Sequence, residues 1–75
     1  MHEQILGILK KVSGKNTVPD DDESLFDSGY LDSFALTDMV SALESEFGIK
    51  VPDADLSPRK FDSVSRIEKY VASKV

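Results

Sequence analysis

Apolar residues recur with the spacing of an α-helix in three separate stretches of the chain. In the first, Ile5, Leu9 and Val12 stand 4 and 3 positions apart and Ile8 widens the stripe, which predicts a helix from about His2 to Ser13. Gly14 is placed to end it, since glycine takes the left-handed conformation that closes a helix. In the second, Leu36, Met39, Val40, Leu43 and Phe47 lie at offsets of 0, 3, 4, 7 and 11. That is one face of a helix from about Ser33 to Phe47, with Gly48 as its C-terminal cap. The third runs from about Ser63 to Ser73, with Val64, Ile67 and Val71 inward and Tyr70 at the edge; Asp62 or Ser63 can cap it. A shorter helical turn is expected over Ser57–Phe61, where Ser57 and Pro58 make a cap and first-position pair.

Nothing between these stretches reads as a strand. Ile49-Lys50-Val51 alternates but stops at Pro52, too short to pair into a sheet. The connection from Lys15 to Asp32 is long for so small a chain, and a linker of that length usually has a task. Val18, Leu25, Phe26, Tyr30 and Leu31 are the residues that can pin it over a helical core. The expectation is an all-α bundle in one domain over residues 1–75: three main helices, one short helix, and a long ordered loop between helices 1 and 2. Helical phase makes one exception to burial. At about 100° per residue, Phe34 lies roughly 140° from Met39, so its ring is expected on the solvent side of the second helix.

Composition narrows the function. The chain has 75 residues, 40% apolar and 31% charged, which is ordinary for a soluble domain with one thin core and little room for a buried catalytic cavity. No apolar run is long enough to cross a bilayer, and the N-terminus carries no signal-peptide pattern, so no membrane insertion and a cytoplasmic location are expected. Without cysteine there is no disulfide, thiolate metal site or cysteine nucleophile. The net charge of -5 is unevenly spread: no basic residue occurs between Asn16 and Ile49, whereas Asp20, Asp21, Asp22, Glu23, Asp27, Asp32, Asp38, Glu44 and Glu46 all do. Such a middle repels nucleic acid, and it either attracts a partner with a basic patch or, the reading that charge alone favours, is a solvated face that keeps the protein soluble.

Few residues offer chemistry. His2 is the sole histidine, at a terminus expected to fray, and no nucleophile or orienting partner is evident for it. The run Asp20-Asp21-Asp22-Glu23 suggests a calcium loop, but counting from Asp20 the sixth and twelfth positions are Leu25 and Leu31, not the glycine and glutamate such a loop needs. No metal site is expected. The informative segment is Leu25-Phe26-Asp27-Ser28-Gly29-Tyr30-Leu31-Asp32-Ser33-Phe34, in which a glycine-bearing turn delivers Asp-Ser to the mouth of an amphipathic helix. Either Asp32 or Ser33 could simply be the N-cap, worth about 1 kcal/mol.

The whole arrangement, however, resembles the acyl carrier protein family. The Asp32-Ser33 pair, the helix ending Ala42-Leu43-Glu44-Ser45-Glu46-Phe47-Gly48-Ile49, Val51-Pro52 after it, the acidic long loop and the final amphipathic helix all carry the likeness, from Ile5 to Val71. The resemblance implies a carrier, not an enzyme, with 4′-phosphopantetheine from coenzyme A on Ser33 and Asp32 helping the modifying transferase. The arm would hold an acyl or aminoacyl group as a thioester. Partners implied are a phosphopantetheinyl transferase and loading enzymes, acyltransferases or synthases with basic docking patches. Phe34, Asp38, Ser41 and Glu44 are the candidate partner contacts on a monomeric carrier. Leu25, Val40, Leu43, Ile49 and Phe61 are candidates for an acyl pocket, or plain core. Leu31-Asp32-Ser33 looks closer to D-alanyl carriers and specialised free-standing carriers than to fatty-acid carriers, which leaves fatty-acid, polyketide, secondary-metabolite and D-alanylation pathways open. The alternative is an unmodified acidic helical adaptor that binds a basic partner.

Overall fold

A computed structural model describes all residues, 1–75. It contains three α-helices, α1 (His2–Ser13), α2 (Ala35–Phe47) and α3 (Val64–Lys74), and no strand. The short helix expected over Ser57–Phe61 is a 3-10 turn, Pro58–Phe61, and a second such turn at Asp53–Asp55 had no periodic signal to announce it. The all-α expectation stands; a fourth α-helix does not form, because four residues ending in a buried phenylalanine give only one tight turn.

The predicted stripes are the buried ones. Ile5, Ile8 and Leu9 of α1, Leu36, Met39, Val40 and Leu43 of α2, and Val64, Ile67 and Val71 of α3 join one core. Helix α1 packs against both other helices, and the Pro58–Phe61 turn packs on α3. Phe61 is fully buried, its ring 4.9 Å from that of half-buried Tyr70. Both α1 and α2 end in left-handed glycines, Gly14 and Gly48. Ser63, not Asp62, caps α3, its side chain accepting from the Arg66 amide at 3.2 Å. Ile49 and Val51 are buried in a segment that forms no strand, and the Ile49 amide donates to the Glu44 carbonyl at 3.3 Å. The amide of Val51 is satisfied by the Glu44 carboxylate at 2.8 Å.

The segment between α1 and α2 is held differently. Leu25, Tyr30 and Leu31 are buried as expected and Phe26 is half-buried, but Val18 is 46% exposed; its neighbour Pro19 is buried in its place. Much of the hold is polar and comes from the start of α3. The Leu25 amide donates to the Asp62 carbonyl at 2.6 Å, and the Ser65 amide donates to the Asp21 carbonyl at 3.0 Å. The Asp62 carboxylate accepts from the Ser24 hydroxyl at 2.8 Å and the Phe26 amide at 3.3 Å. Ser65 closes the set by donating to Asp22 Oδ1 at 3.0 Å.

His2 does not fray. It opens α1, with Nδ1 2.6 Å from Glu68 Oε1 on α3 and Nε2 3.6 Å from Asp21 Oδ1 on the loop. The Glu68 hydrogen bond, with help from Asp21, raises its pKa above 6.5. Neither carboxylate is near His2 in sequence; only folding brings Asp21 and Glu68 to it.

Candidate functional site

The Asp-Ser pair arrives at α2 from a turn that needs glycine. Gly29 has φ 82°, a left-handed conformation costly for residues with a Cβ, and it reverses the chain so that Tyr30 and Leu31 face inward. The Lys15 ammonium locks that reversal from α1's side, donating to the carbonyls of Gly29 at 2.9 Å and Tyr30 at 3.1 Å. It also lies 5.2 Å from the Tyr30 ring centroid, close enough for a cation–π attraction. The Tyr30 hydroxyl donates to the Thr17 carbonyl at 2.7 Å. Asp32, Ser33 and Phe34 follow immediately, all exposed.

Helix α2 begins at Ala35, not at Ser33 as the sequence pattern suggested. Asp32 holds the approach: the Ala35 amide donates both to Asp32 Oδ1 at 2.9 Å and to the Asp32 carbonyl at 3.1 Å, and Ser33 and Phe34 form the turn before the first helical residue. Asp32 is therefore the capping residue and Ser33 is free of that duty. The Ser33 hydroxyl makes no hydrogen bond within the chain, and the amides of Leu36 and Thr37 also find no partner in it. An exposed hydroxyl beside unpaired N–H groups at the positive end of a helix suits a phosphate ester. The donor set fits a phosphodiester on Ser33.

Along α2, Phe34, Asp38, Ser41 and Ser45 share one exposed stripe, and Phe34 is 86% exposed, as its helical phase required. Glu44 sits at the side of that stripe, half-buried, with one oxygen committed to Val51. Leu25, Val40, Leu43, Ile49 and Phe61 are all buried members of the core. None of them lines either surface depression of the molecule. One depression, about 430 Å³, lies between α1 and α2 beside Gly7 and Ala42, and the Gln4–Glu46 hydrogen bond joins two of its walls. The other, about 230 Å³, lies between Lys15 and Asp32.

The family model for the phosphopantetheine attachment site matches residues 3–71. The chain belongs to this family. Among similar proteins, the D-alanyl carrier protein of Lactobacillus acidophilus is 32% identical over 69 residues, covering 92% of this chain and 87% of that protein. The D-alanyl carrier protein of Bacillus pumilus is 33% identical over 70 residues, covering 92% and 90%. That of Lactococcus lactis is 32% identical over 75 residues, covering 99% and 95%. As a phosphopantetheine-family carrier the chain is not an enzyme; its prosthetic group is covalent 4′-phosphopantetheine, supplied by a phosphopantetheinyl transferase and used by enzymes that load and unload it. No helix of the structure is long and apolar enough to cross a membrane.

Proposed function

We propose that Ser33 is the attachment point and that the carrier takes a small aminoacyl group, D-alanine first among candidates, as a thioester. The observation that carries the attachment is the free, exposed Ser33 hydroxyl beside the Asp32 cap. Its oxygen forms a new P–O bond to the β-phosphorus of coenzyme A. The bond from that phosphorus to the adenosine bisphosphate breaks, and the hydroxyl proton passes to a base or water in the transferase. Asp32 keeps the helix mouth open while Ser33 reacts. The bound arm supplies a thiol that the cysteine-free chain lacks.

Cargo size follows from packing. Leu25, Val40, Leu43, Ile49 and Phe61 fill the interior, and a long acyl chain would have to part them, at a cost set by close-packed contacts. A small polar aminoacyl group asks for no such opening and stays in solvent. The D-alanyl carriers similar to this chain support the same cargo. The exposed stripe of Phe34, Asp38 and Ser41, with Glu44 beside it, is the docking face for basic patches on transferase and ligase, which a monomeric carrier presents alone.

Whole-protein mass spectrometry after incubation with coenzyme A and a broad-specificity transferase tests the attachment. The expected result is one added arm in wild type and none in Ser33→Ala; equal addition to both overturns it. A D-alanine-activating ligase then tests the cargo. Preferential loading of D-alanine over L-alanine and over a medium-chain acyl group is expected, and preference for the acyl group overturns the aminoacyl reading.

A further inference from the structure

The depression of about 230 Å³ beside the attachment residue has a chemistry of its own. Its walls come from the end of α1, the Gly29 turn and the mouth of α2, and include Val12, Lys15, Tyr30, Leu31, Asp32 and Ala35. Asp32 precedes Ser33 directly and Ala35 follows it by two residues, so the groove's lining brackets Ser33 in sequence without including it. Its apolar side is made by Leu31, buried, and by Val12 and Ala35, half-buried. Its cationic side is Lys15, the last basic residue before Lys50. The two carbonyls that hold Lys15 use two of the three ammonium donors, so the charge is fixed in place with one donor to spare.

We propose that this groove seats the proximal part of the 4′-phosphopantetheine arm, with the Lys15 ammonium facing the phosphodiester and the branched dimethyl unit lying over Val12, Leu31 and Ala35. The inference rests on Ser33 as the attachment point. The groove carries one cation, Lys15, and one anion, Asp32, whose Oδ1 is engaged by the Ala35 amide; the Lys15 cation and the groove's place next to Ser33 point to the occupant. Volume limits how much of it fits: pockets that enclose a drug-sized ligand start at about 300 Å³. At about 230 Å³ the groove takes the phosphate and dimethyl end and leaves the amide chain and thiol outside, free to reach partner enzymes. Lys15 is thus a positioning residue: it fixes the direction in which the arm leaves the protein.

Isotope-filtered NMR on the labelled holo protein with an unlabelled arm tests this. Cross-relaxation from the arm's dimethyl protons to the methyl groups of Val12 and Ala35 is expected, with holo-minus-apo shifts extending to Lys15 and Leu31. Lys15→Met should cut that cross-relaxation about two- to fivefold, the range an exposed ion pair supports, while Lys15→Arg retains most of it. Shifts confined to Asp32, Ser33 and Phe34 with no cross-relaxation would overturn the seat even if Lys15→Met does not fold, because the wild-type measurement decides. Failure to gain the arm's mass at Ser33 is a different result: it removes the attachment assignment itself and is read before any spectrum is taken.

Discussion

Helix α2 and the loop that leads into it both present residues to the same core, but they are fixed by different forces. Helix α2 lays down Leu36, Met39, Val40 and Leu43, one buried side chain per turn or better, and needs few polar ties to the rest. The loop buries Pro19, Leu25, Tyr30 and Leu31 at irregular intervals and makes up the difference with directed hydrogen bonds to Asp62, Ser65 and Lys15. Burial is forgiving in direction, whereas a hydrogen bond is lost within a fraction of an ångström. The difference teaches where precision comes from in so small a carrier. The proposed attachment residue, Ser33, is exposed and has no burial of its own to position it, so the proposal assigns that task to the loop's polar anchors.

The sharpest break of the comparison is at the serine. Ser33→Ala should lose all phosphopantetheine incorporation in mass spectrometry while melting within about 0.5 kcal/mol of wild type, since its hydroxyl supports no bond in the fold. A large stability loss would show that Ser33, not Asp32, caps α2. Next comes the core side. Leu43→Ala should cost about 2–5 kcal/mol by chemical denaturation, with the folded fraction still accepting the arm normally. On the loop side, Asp62→Ala should cost about 1–3 kcal/mol by leaving Ser24 and the Phe26 amide without their acceptor. Unlike Leu43→Ala, it should slow transferase modification of the folded protein; equal rates for the two variants would erase the proposed division of labour.

Phe34→Ala touches neither system of anchors. A fall of about 30-fold in loading efficiency at unchanged melting temperature is expected, as for an aromatic contact worth about 2 kcal/mol at an interface. A drop in melting temperature would instead put Phe34 in the fold.

The smallest effect concerns His2, which ties α1, the loop and α3 together through Asp21 and Glu68. Its folded pKa is raised above 6.5, so its contribution to stability is present below that value and is lost as pH rises through the raised one. Glu3 on its own helix adds to the same field. His2→Gln should therefore lower the melting temperature at about pH 6 and match wild type at about pH 9. A constant difference across that range would mean the ring acts by packing alone.

Much of the helical frame was legible because periodicity is a local property. The stripes at Ile5 to Val12, Leu36 to Phe47 and Val64 to Val71 named the buried faces, and the same phase argument turned Phe34 outward. The candidate site was legible as Asp-Ser before a helix. Which of the two residues caps was not, because both types serve as caps and the choice depends on where the Gly29 turn sets the chain down. The Val18 expectation failed for a related reason: in an irregular segment hydrophobicity does not say which way a side chain points, and Pro19 took the buried place.

By itself, then, the sequence determined three amphipathic helices, the glycine stops of the first two, an acidic middle without a cation, and a serine delivered to a helix mouth. Each is encoded by residues within a few positions of one another. Only the tertiary structure decided that Asp62 anchors Ser24 from 38 positions away, that Glu68 meets His2 across 66, and that Lys15 stands over Tyr30 beside the groove next to Ser33. Such pairings leave no periodic trace, because a hydrogen bond or ion pair needs two groups at one point in space and is indifferent to the length of chain between them.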